Sequence, residues 1–181
     1  MKADIRMARE RSPARRVAGF GILLALALVL HAVEGLLPTP LPFARLGLAN
    51  IATLLAVVAF GLADAVLLTA LRVMLASLLA GTFLGPGFAM SLAGGLTAAV
   101  AMWAVFRLWC PPLGIVGVSL VGAAAHNVAQ VVTVGTIFTG AAAAARLLPV
   151  ALLLAAVAGL ATGLAAHFVL ARIRPGQELR T

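Results

Sequence analysis

Seven polar side chains stand inside long apolar stretches of this 181-residue sequence, and their types and spacing could do chemistry. An ionisable group in such a stretch is costly: an arginine at the centre of a membrane helix costs about 2.5–3.5 kcal/mol on insertion scales. Residues of this kind mark ligand, ion or proton sites in membrane proteins. We therefore predict that one polar binding site is formed by His31, Glu34, Asn50, Arg72, His126, Asn127 and Gln130.

Helical spacing places several of these residues on shared faces. His31 and Glu34 are three residues apart, as are Asn127 and Gln130. His126 and Gln130 are four residues apart. Side chains three or four positions apart on a helix are neighbours, so the pattern predicts that these polar groups converge.

The predicted site depends most on Arg72, which stands deep inside its apolar run. A guanidinium donates in a rigid fork that suits a carboxylate or a phosphate. We therefore predict that Arg72 anchors an anionic or carbonyl-bearing ligand, with the other six residues lining the same pocket. The alternative is structural: a buried ion pair between Arg72 and Glu34, with polar contacts among the rest, would only fix helix packing.

Groups suited to catalysis or metal binding are scarce. The five acidic residues include no adjacent pair that could hold Mg²⁺, and the single Cys110 excludes a cysteine cluster and an internal disulfide. No P-loop or zinc motif occurs. We predict no catalytic residue, no metal and no resident cofactor, and we interpret Asp64 as a helix N-cap.

The elements that hold the polar residues must be membrane helices. The chain is 64% hydrophobic and 10% charged, with a mean hydropathy of +1.16, whereas soluble proteins are roughly 45–50% apolar and about a quarter charged. A span needs about 20 apolar residues, which leaves room for six. The sequence predicts an all-α, polytopic membrane protein with a six-transmembrane-helix bundle, at 17–36, 47–61, 64–80, 87–108, 113–138 and 147–171.

Basic residues predict the orientation of this membrane domain, 17–171, between a basic tail at 1–16 and a second tail at 172–181. Ten of the 13 basic residues fall in the tails or at the inner end of the fourth span. Only Arg45 and Arg146 fall in outer connections. This asymmetry predicts a bacterial inner-membrane protein with both termini cytoplasmic.

Two other interpretations of the basic N-terminal tail have less support than a cytoplasmic tail before a first span. Nucleic-acid binding is not expected, because no aromatic residue is interleaved with the basic tail to stack on bases. A cleaved secretory or twin-arginine leader is the second alternative. The sequence that follows is as apolar as the supposed leader, so 17–36 is predicted to be a first span.

Small residues on the first span form a second candidate surface. Ala18, Gly21 and Ala25 recur at spacings that let helix backbones approach closely. Packing inside the bundle would explain them. A sliding contact with another membrane subunit would explain them equally, so all three are candidate partner contacts.

Three sequence blocks resemble a known family: LPFARLGLANIATLLA at 41–56, LRVMLASLLAGTFLGPGFAMSLAGG at 71–95 and GVSLVGAAAHNVAQ at 117–130. Together they are similar to the Gx transporter family, also described as heptaprenyl diphosphate synthase component I. The likeness covers about residues 20–170. Five polar residues of the predicted site fall inside these blocks, namely Asn50, Arg72, His126, Asn127 and Gln130.

The resemblance implies a function. The family looks related to the substrate-binding S components of energy-coupling-factor (ECF) importers, six-helix proteins that bind vitamins or similar cofactors from outside. S components work with a transmembrane coupling subunit and ATPase subunits, which are therefore the expected partners here, beside the bilayer and a small-molecule substrate. Some family members are associated with flavin and quinone redox genes, so a flavin or prenylated-quinone precursor is a candidate cargo.

Two alternative functions stay open. The family description names prenyl diphosphate synthesis, but that condensation needs aspartate-rich Mg²⁺ sites, so this chain would be at most an accessory subunit. A stand-alone secondary transporter is the other alternative. Its usual signature is an internal repeat, and the two halves of this chain show no similarity.

Overall fold

A computed structural model describes residues 13–36 and 47–173, without the side chains at 110–112. Residues 1–12 and 174–181 of the predicted tails, and the first connection at 37–46 with Arg45, lie outside the described residues. Every secondary-structure element in the described ranges is helical. The predicted all-α membrane bundle is confirmed.

Seven helices follow one another along the described chain. They are α1 (Pro13–Leu36), α2 (Asn50–Ala59), α3 (Leu62–Leu79), α4 (Pro86–Trp109), α5 (Leu113–Thr139), α6 (Ala141–Ala145) and α7 (Leu148–Ile173). α4 and α5 are separated by a kink at Gly114, whose backbone is not helical (φ 61°, ψ 179°). The last turn of α5, Gly135–Thr139, is π-helical.

Five of these helices are long and apolar enough to cross a membrane: α1, α3, α4, α5 and α7. The second predicted span is shorter than expected, because α2 contains 10 residues. At a rise of about 1.5 Å per residue it covers roughly 15 Å, half of a hydrocarbon core of about 30 Å. Glycines with positive φ, Gly47 (74°) and Gly61 (94°), flank this short helix.

The start of α3 differs from the prediction. The N-cap residue is Gly61, which has no side chain to cap with, and Asp64 lies in the first turn. The interpretation of Asp64 as the N-cap was therefore wrong. Its carboxylate instead accepts a hydrogen bond from Arg16 Nη2 on α1 at 2.6 Å, and a negative charge in a first turn also interacts favourably with the helix dipole.

The apolar core forms where α2, α3, α4 and α5 meet. Leu54, Leu68, Met102 and Val118, one from each of these helices, are fully buried there. By contrast, α1 is peripheral, and its buried residues are Ala27 and Glu34. Because so little of α1 is buried, the burial of the Glu34 carboxylate on this helix needs an explanation.

Small residues bring α7 against α5 at the α5–α7 seam (Gly159 and Gly163 against Val116, Ser119 and Leu120). A Cβ added to Gly163 would lie 2.9 Å from Val116 Cα, and one added to Gly159 would lie 2.9 Å from Leu120 Cα. The two backbones thus approach as closely as glycine allows. Beside them the buried hydroxyls of Ser119 and Thr162 share a hydrogen bond of 2.8 Å.

Candidate ligand-binding site

Arg72 lies in the middle of α3 and is 3% exposed. One turn earlier, the buried hydroxyl of Thr69 donates to the carbonyl oxygen of Ala65 at 2.8 Å. The same hydroxyl lies 3.3 Å from that of Thr53 on α2. These contacts fix the face of α3 that carries Arg72 relative to α2.

On the α3 side, a glycine of α4 makes room for the guanidinium. A Cβ added to Gly95 would lie 2.7 Å from Thr69 Cγ2 and 3.1 Å from Arg72 Nη2. Any larger residue at position 95 would meet both side chains. The missing side chain at Gly95 therefore allows α3 and α4 to pack with a buried arginine between them.

On the α5 side, Gly94 makes room for two further polar side chains. A Cβ added to Gly94 would lie 2.9 Å from His126 Cε1 and 3.1 Å from Gln130 Cγ. His126 is 4% exposed and Gln130 3% exposed. Gly94 and Gly95, which we name the diglycine notch, therefore place three polar side chains from α3 and α5 against consecutive residues of α4.

The side chain of Gln130 has unmet hydrogen-bonding capacity. Within the part of the chain that the structure describes, neither its Nε2 nor its Oε1 has a hydrogen-bond partner. A buried polar atom without a partner costs about 1–3 kcal/mol. Such an atom in a folded protein calls for an explanation, and a ligand that supplies the partner is one.

A second polar corner joins α1 to α2. The backbone N–H of Gly47 donates to Glu34 Oε1, and a Cβ added to Gly47 would lie 2.9 Å from Asn50 Nδ2. Asn50 is 3% exposed, and its Oδ1 has no hydrogen-bond partner among the described residues. Glu34 and Asn50 thus meet at Gly47, which explains why α1 buries a carboxylate.

The remaining two predicted residues lie beside these groups. Asn127 is buried, but its Nδ2 donates to the carbonyl oxygen of Ala123 in its own helix at 3.1 Å. His31 is half-buried on α1, three residues before Glu34. The structure therefore brings Arg72 and two residues of α5 to the notch, and places the other predicted residues at the α1–α2 corner or one position along α5.

Sequence reasoning missed the residues that shape the notch. Glycine in a helix interior is less favourable than alanine by about 0.8–1.0 kcal/mol, so a glycine pair inside an apolar helix is itself a signal. The pair was visible in the sequence, but without the fold nothing showed which side chains it faced. The residues that sequence reasoning missed are Thr53, Thr69, Gly94 and Gly95 at the notch and Gly47 at the α1–α2 corner.

The polar groups at the notch are hydrogen-bonding ones: a guanidinium, an imidazole and a carboxamide, which donate and accept hydrogen bonds. Groups of this kind can pair with carboxylate, carbonyl or amide groups. Over residues 13–36 and 47–173, no group of three or more His, Cys, Asp or Glu side chains could hold a metal ion.

The predicted partner-contact residues lie on the outer face of α1. Ala18, Gly21 and Ala25 are all exposed, and nothing lies within 4 Å of the position that a Cβ on Gly21 would take. They therefore do not pack inside the bundle. Their face is available to lipid or to another membrane protein.

Comparison with known families gives an assignment. The sequence profile of the family described as heptaprenyl diphosphate synthase component I matches residues 23–169. The chain belongs to this family. The match spans the diglycine notch and the α1–α2 corner, so the family assignment and the polar site concern the same part of the molecule. A comparison with curated proteins gave no match.

The fold of this family member is similar to a solved structure, described as the S component of a bacterial ECF transporter. The two share 13% sequence identity with a TM-score of 0.71, over 90% of this chain and 96% of that chain. The family predicted from the three sequence blocks is confirmed by the profile match, and the predicted S-component-like fold is confirmed by the structural likeness. At this identity the likeness establishes the fold.

Proposed function

We propose that this chain is the membrane-embedded substrate-binding subunit of an energy-coupled importer for a small vitamin-like or cofactor-like molecule. The observation that supports this most is the diglycine notch, where buried polar side chains from α3 and α5 meet inside a fold shared with an S component. Bundles do use polar contacts between helices. Here, however, both polar atoms of Gln130 lack a partner within the described residues, which packing alone does not explain.

In this proposal Arg72 anchors an anionic or carbonyl group of the substrate. Its fork of donors suits a carboxylate or phosphate in a way that the point charge of lysine does not. His126 and Gln130 contact the substrate from α5, and Glu34, Asn50, His31 and Asn127 complete the pocket. A flavin or quinone precursor remains a candidate cargo.

The first experiment is native mass spectrometry of the purified protein, to detect a copurified small molecule. Arg72→Lys keeps the charge but loses the fork, so we expect the affinity for the bound molecule to fall at least about tenfold, the loss of one good charged hydrogen bond, while thermal unfolding stays near wild type. If wild type carries nothing and binds nothing from a vitamin and flavin panel, and Arg72→Lys supports growth that depends on uptake, the proposal fails.

The asymmetry of basic residues supports an orientation with both termini cytoplasmic. The site then opens outward, because Glu34 near the end of α1 and Asn50 at the start of α2 lie at the opposite end from the N-terminus of α1. Single cysteines at positions 5, 84 and 178, with Cys110 replaced first, test this. We expect outside labelling at Leu84, which is 76% exposed, and an externally labelled position 178 would refute the orientation.

The exposed face of α1 supports a contact with a transmembrane coupling subunit that carries ATPases. Ala25→Leu adds bulk to this face and should weaken copurification with the coupling subunit while leaving substrate binding intact. Ala156→Leu is the matched control, because Ala156 is exposed on α7, away from that face. Uptake should also be lost without the ATPases. Uptake by the chain alone would instead support the secondary transporter.

A second function follows the family description: an accessory subunit for prenyl diphosphate synthesis. The chain itself has five acidic residues, of which Glu34 and Asp64 lie in the described part at opposite ends of the bundle. That arrangement offers no pair of carboxylates for Mg²⁺ and pyrophosphate. Copurification of the chain with prenyltransferase activity, abolished on deletion of its gene, would favour this function over import.

A further inference from the structure

The class of ligand can be narrowed from the hydrogen-bonding groups of Gln130. Gln130 is 3% exposed, and both Nε2 and Oε1 lack partners among the residues the structure describes. The assignment of nitrogen and oxygen in a carboxamide follows from its partners. Since neither atom has one, exchanging them leaves the same demand: one acceptor and one donor, side by side.

Nearby polar side chains on α5 have the hydrogen-bond partners that Gln130 lacks. Asn127, three residues earlier on the same helix, satisfies its Nδ2 by donating to the carbonyl oxygen of Ala123. Thr133, three residues later, donates to that of Ala129 at 2.8 Å. Polar side chains of α5 therefore find backbone partners on both sides of Gln130, while Gln130 itself is directed to the notch beside Gly94.

The helices around the notch carry no phenyl, phenol or indole ring close to it. Neither α2 nor α3 contains Phe, Tyr or Trp, and the stretch 113–134 of α5 contains none. On α4 the nearest in sequence is Phe88, six residues before Gly94, which packs edge-on against Phe83 at 5.1 Å. The planar groups at the notch are the imidazole of His126 and the guanidinium of Arg72, which are themselves hydrogen-bonding groups. The notch therefore offers a ligand hydrogen bonds along an edge.

Building on the proposed binding function, we propose that the substrate carries a cis-amide edge, an N–H beside a C=O as in a lactam, an imide or a cyclic urea, which pairs with the carboxamide of Gln130. The ligand N–H donates to Oε1, and the ligand C=O accepts from Nε2. A second ligand donor would satisfy Asn50 Oδ1 at the α1–α2 corner, which also lacks a hydrogen-bond partner among the described residues. An anion or carbonyl farther along the ligand would lie at Arg72, one α4 residue away.

Three probe pairs test this edge: 2-piperidone, uracil and riboflavin, each against its N-methylated form (N-methyl-2-piperidone, 1,3-dimethyluracil and 3-methylriboflavin). Binding is measured on the intact protein in detergent by saturation-transfer NMR and by thermal stabilisation. We expect at least one N–H member to bind, and its N-methyl partner to bind roughly tenfold more weakly or not at all, the loss expected for an unmade buried hydrogen bond.

Gln130→Met separates a ligand role from a structural one. Methionine has nearly the shape of glutamine and no unmet polar atoms, so the variant should be at least as stable as wild type, because an apolar group of the same shape can replace a buried polar one at no cost. It should nevertheless lose discrimination between the paired probes. Thr133→Val is the matched control on α5, and its binding should equal wild type.

The results of these experiments distinguish failure of the cis-amide proposal from failure of the proposed binding function. Equal binding of N–H and N-methyl probes, or unchanged binding in Gln130→Met, overturns the cis-amide edge. So does a copurified molecule without such an edge, although the binding function then stands. If nothing copurifies and no probe binds, the proposed function itself fails, and this inference fails with it.

Discussion

Two glycine pairs in the bundle, 159/163 on α7 and 94/95 on α4, face different kinds of atoms. At the α5–α7 seam the atoms nearest to an added Cβ include backbone Cα atoms of the partner helix, those of Val116 and Leu120 at 2.9 Å. At the diglycine notch the nearest atoms all belong to the side chains of polar residues. The first pair brings two backbones together, and the second makes room for polar side chains.

The polar groups beside the two pairs differ in the same way. At the seam, Ser119 and Thr162 bond to each other, and Thr162 also donates to the carbonyl oxygen of Ala158 at 2.8 Å. At the notch, Gln130 retains two polar atoms without partners in the described chain. A satisfied polar contact stabilises packing, whereas an unsatisfied one reduces stability and is retained for another reason. Four predictions test this contrast.

The largest effect on stability is expected for Gly163→Ala. The added methyl group would lie 2.9 Å from Val116 Cα, and a backbone atom cannot move without separating the helices. Overpacking of this kind costs typically about 1–3 kcal/mol. We expect the unfolding temperature in detergent to drop by several degrees. Gly21→Ala on the exposed face of α1, where nothing lies within 4 Å, is the control and should not destabilise the protein. Equal behaviour of the two variants would contradict a close-packed seam.

The next prediction concerns Gly94→Ala. Its methyl group would meet the imidazole of His126 and the Cγ of Gln130 at 2.9–3.1 Å, and side-chain atoms can shift by a few tenths of an ångström. Alanine also favours the helix by about 0.8–1.0 kcal/mol over glycine. We therefore expect little net change in stability but a loss of ligand binding, measured by native mass spectrometry. If Gly94→Ala instead unfolds the protein as Gly163→Ala does, the notch is a packing device like the seam.

The sequence predicted the fold, and it marked the candidate polar residues, for a simple physical reason. Lipid tolerates few polar atoms, so each of the seven polar positions was visible against an apolar background. Helix bounds agreed within a few residues for five spans, since the length of an apolar run is set by the bilayer. The half-length of α2 was not foreseen, because its ends depend on two glycines with positive φ, and a glycine in a sequence does not specify its φ.

The grouping of the polar residues was not predictable in the same way. Spacing along one helix indicates a shared face, but it does not show which face meets which neighbour. Thus the pairing of Glu34 with the backbone N–H of Gly47, and the position of Arg72 at Gly95, required the fold. For the same reason Asp64 was interpreted as a cap, although its partner, Arg16, lies 48 residues away.

A smaller effect is expected from removing the polar contact at the seam. Thr162→Val leaves the shape but deletes the bond to Ser119, and such interhelical bonds average about 0.6 kcal/mol, with a maximum near 1.7. We expect a loss in this range, measured with Ser119→Ala and the double variant so that the coupling energy is isolated. Gln130→Met, by contrast, should lose nothing. A destabilised Gln130→Met beside an unaffected Thr162→Val would reverse the roles assigned to the two regions.

Of the two variants that delete a polar contact between helices, Arg16→Ala is expected to lose less stability; it breaks the ion pair with Asp64 at the start of α3. The nitrogen and oxygen are 2.6 Å apart, but Arg16 is 55% exposed, and exposed pairs contribute about 0.2–1 kcal/mol. Salt at 1 M reduces the screening length to about 3 Å, so the small difference from wild type should shrink further there. Arg15→Ala, the same change at the exposed neighbouring position, is the control.

Arg16→Ala is informative because it gives the stability effect of a polar contact that links two helices outside both the seam and the notch. If Arg16→Ala lowers stability as much as Gly163→Ala does, the ion pair on α1 contributes as much as the close packing of α7, and stability is not concentrated where backbones meet.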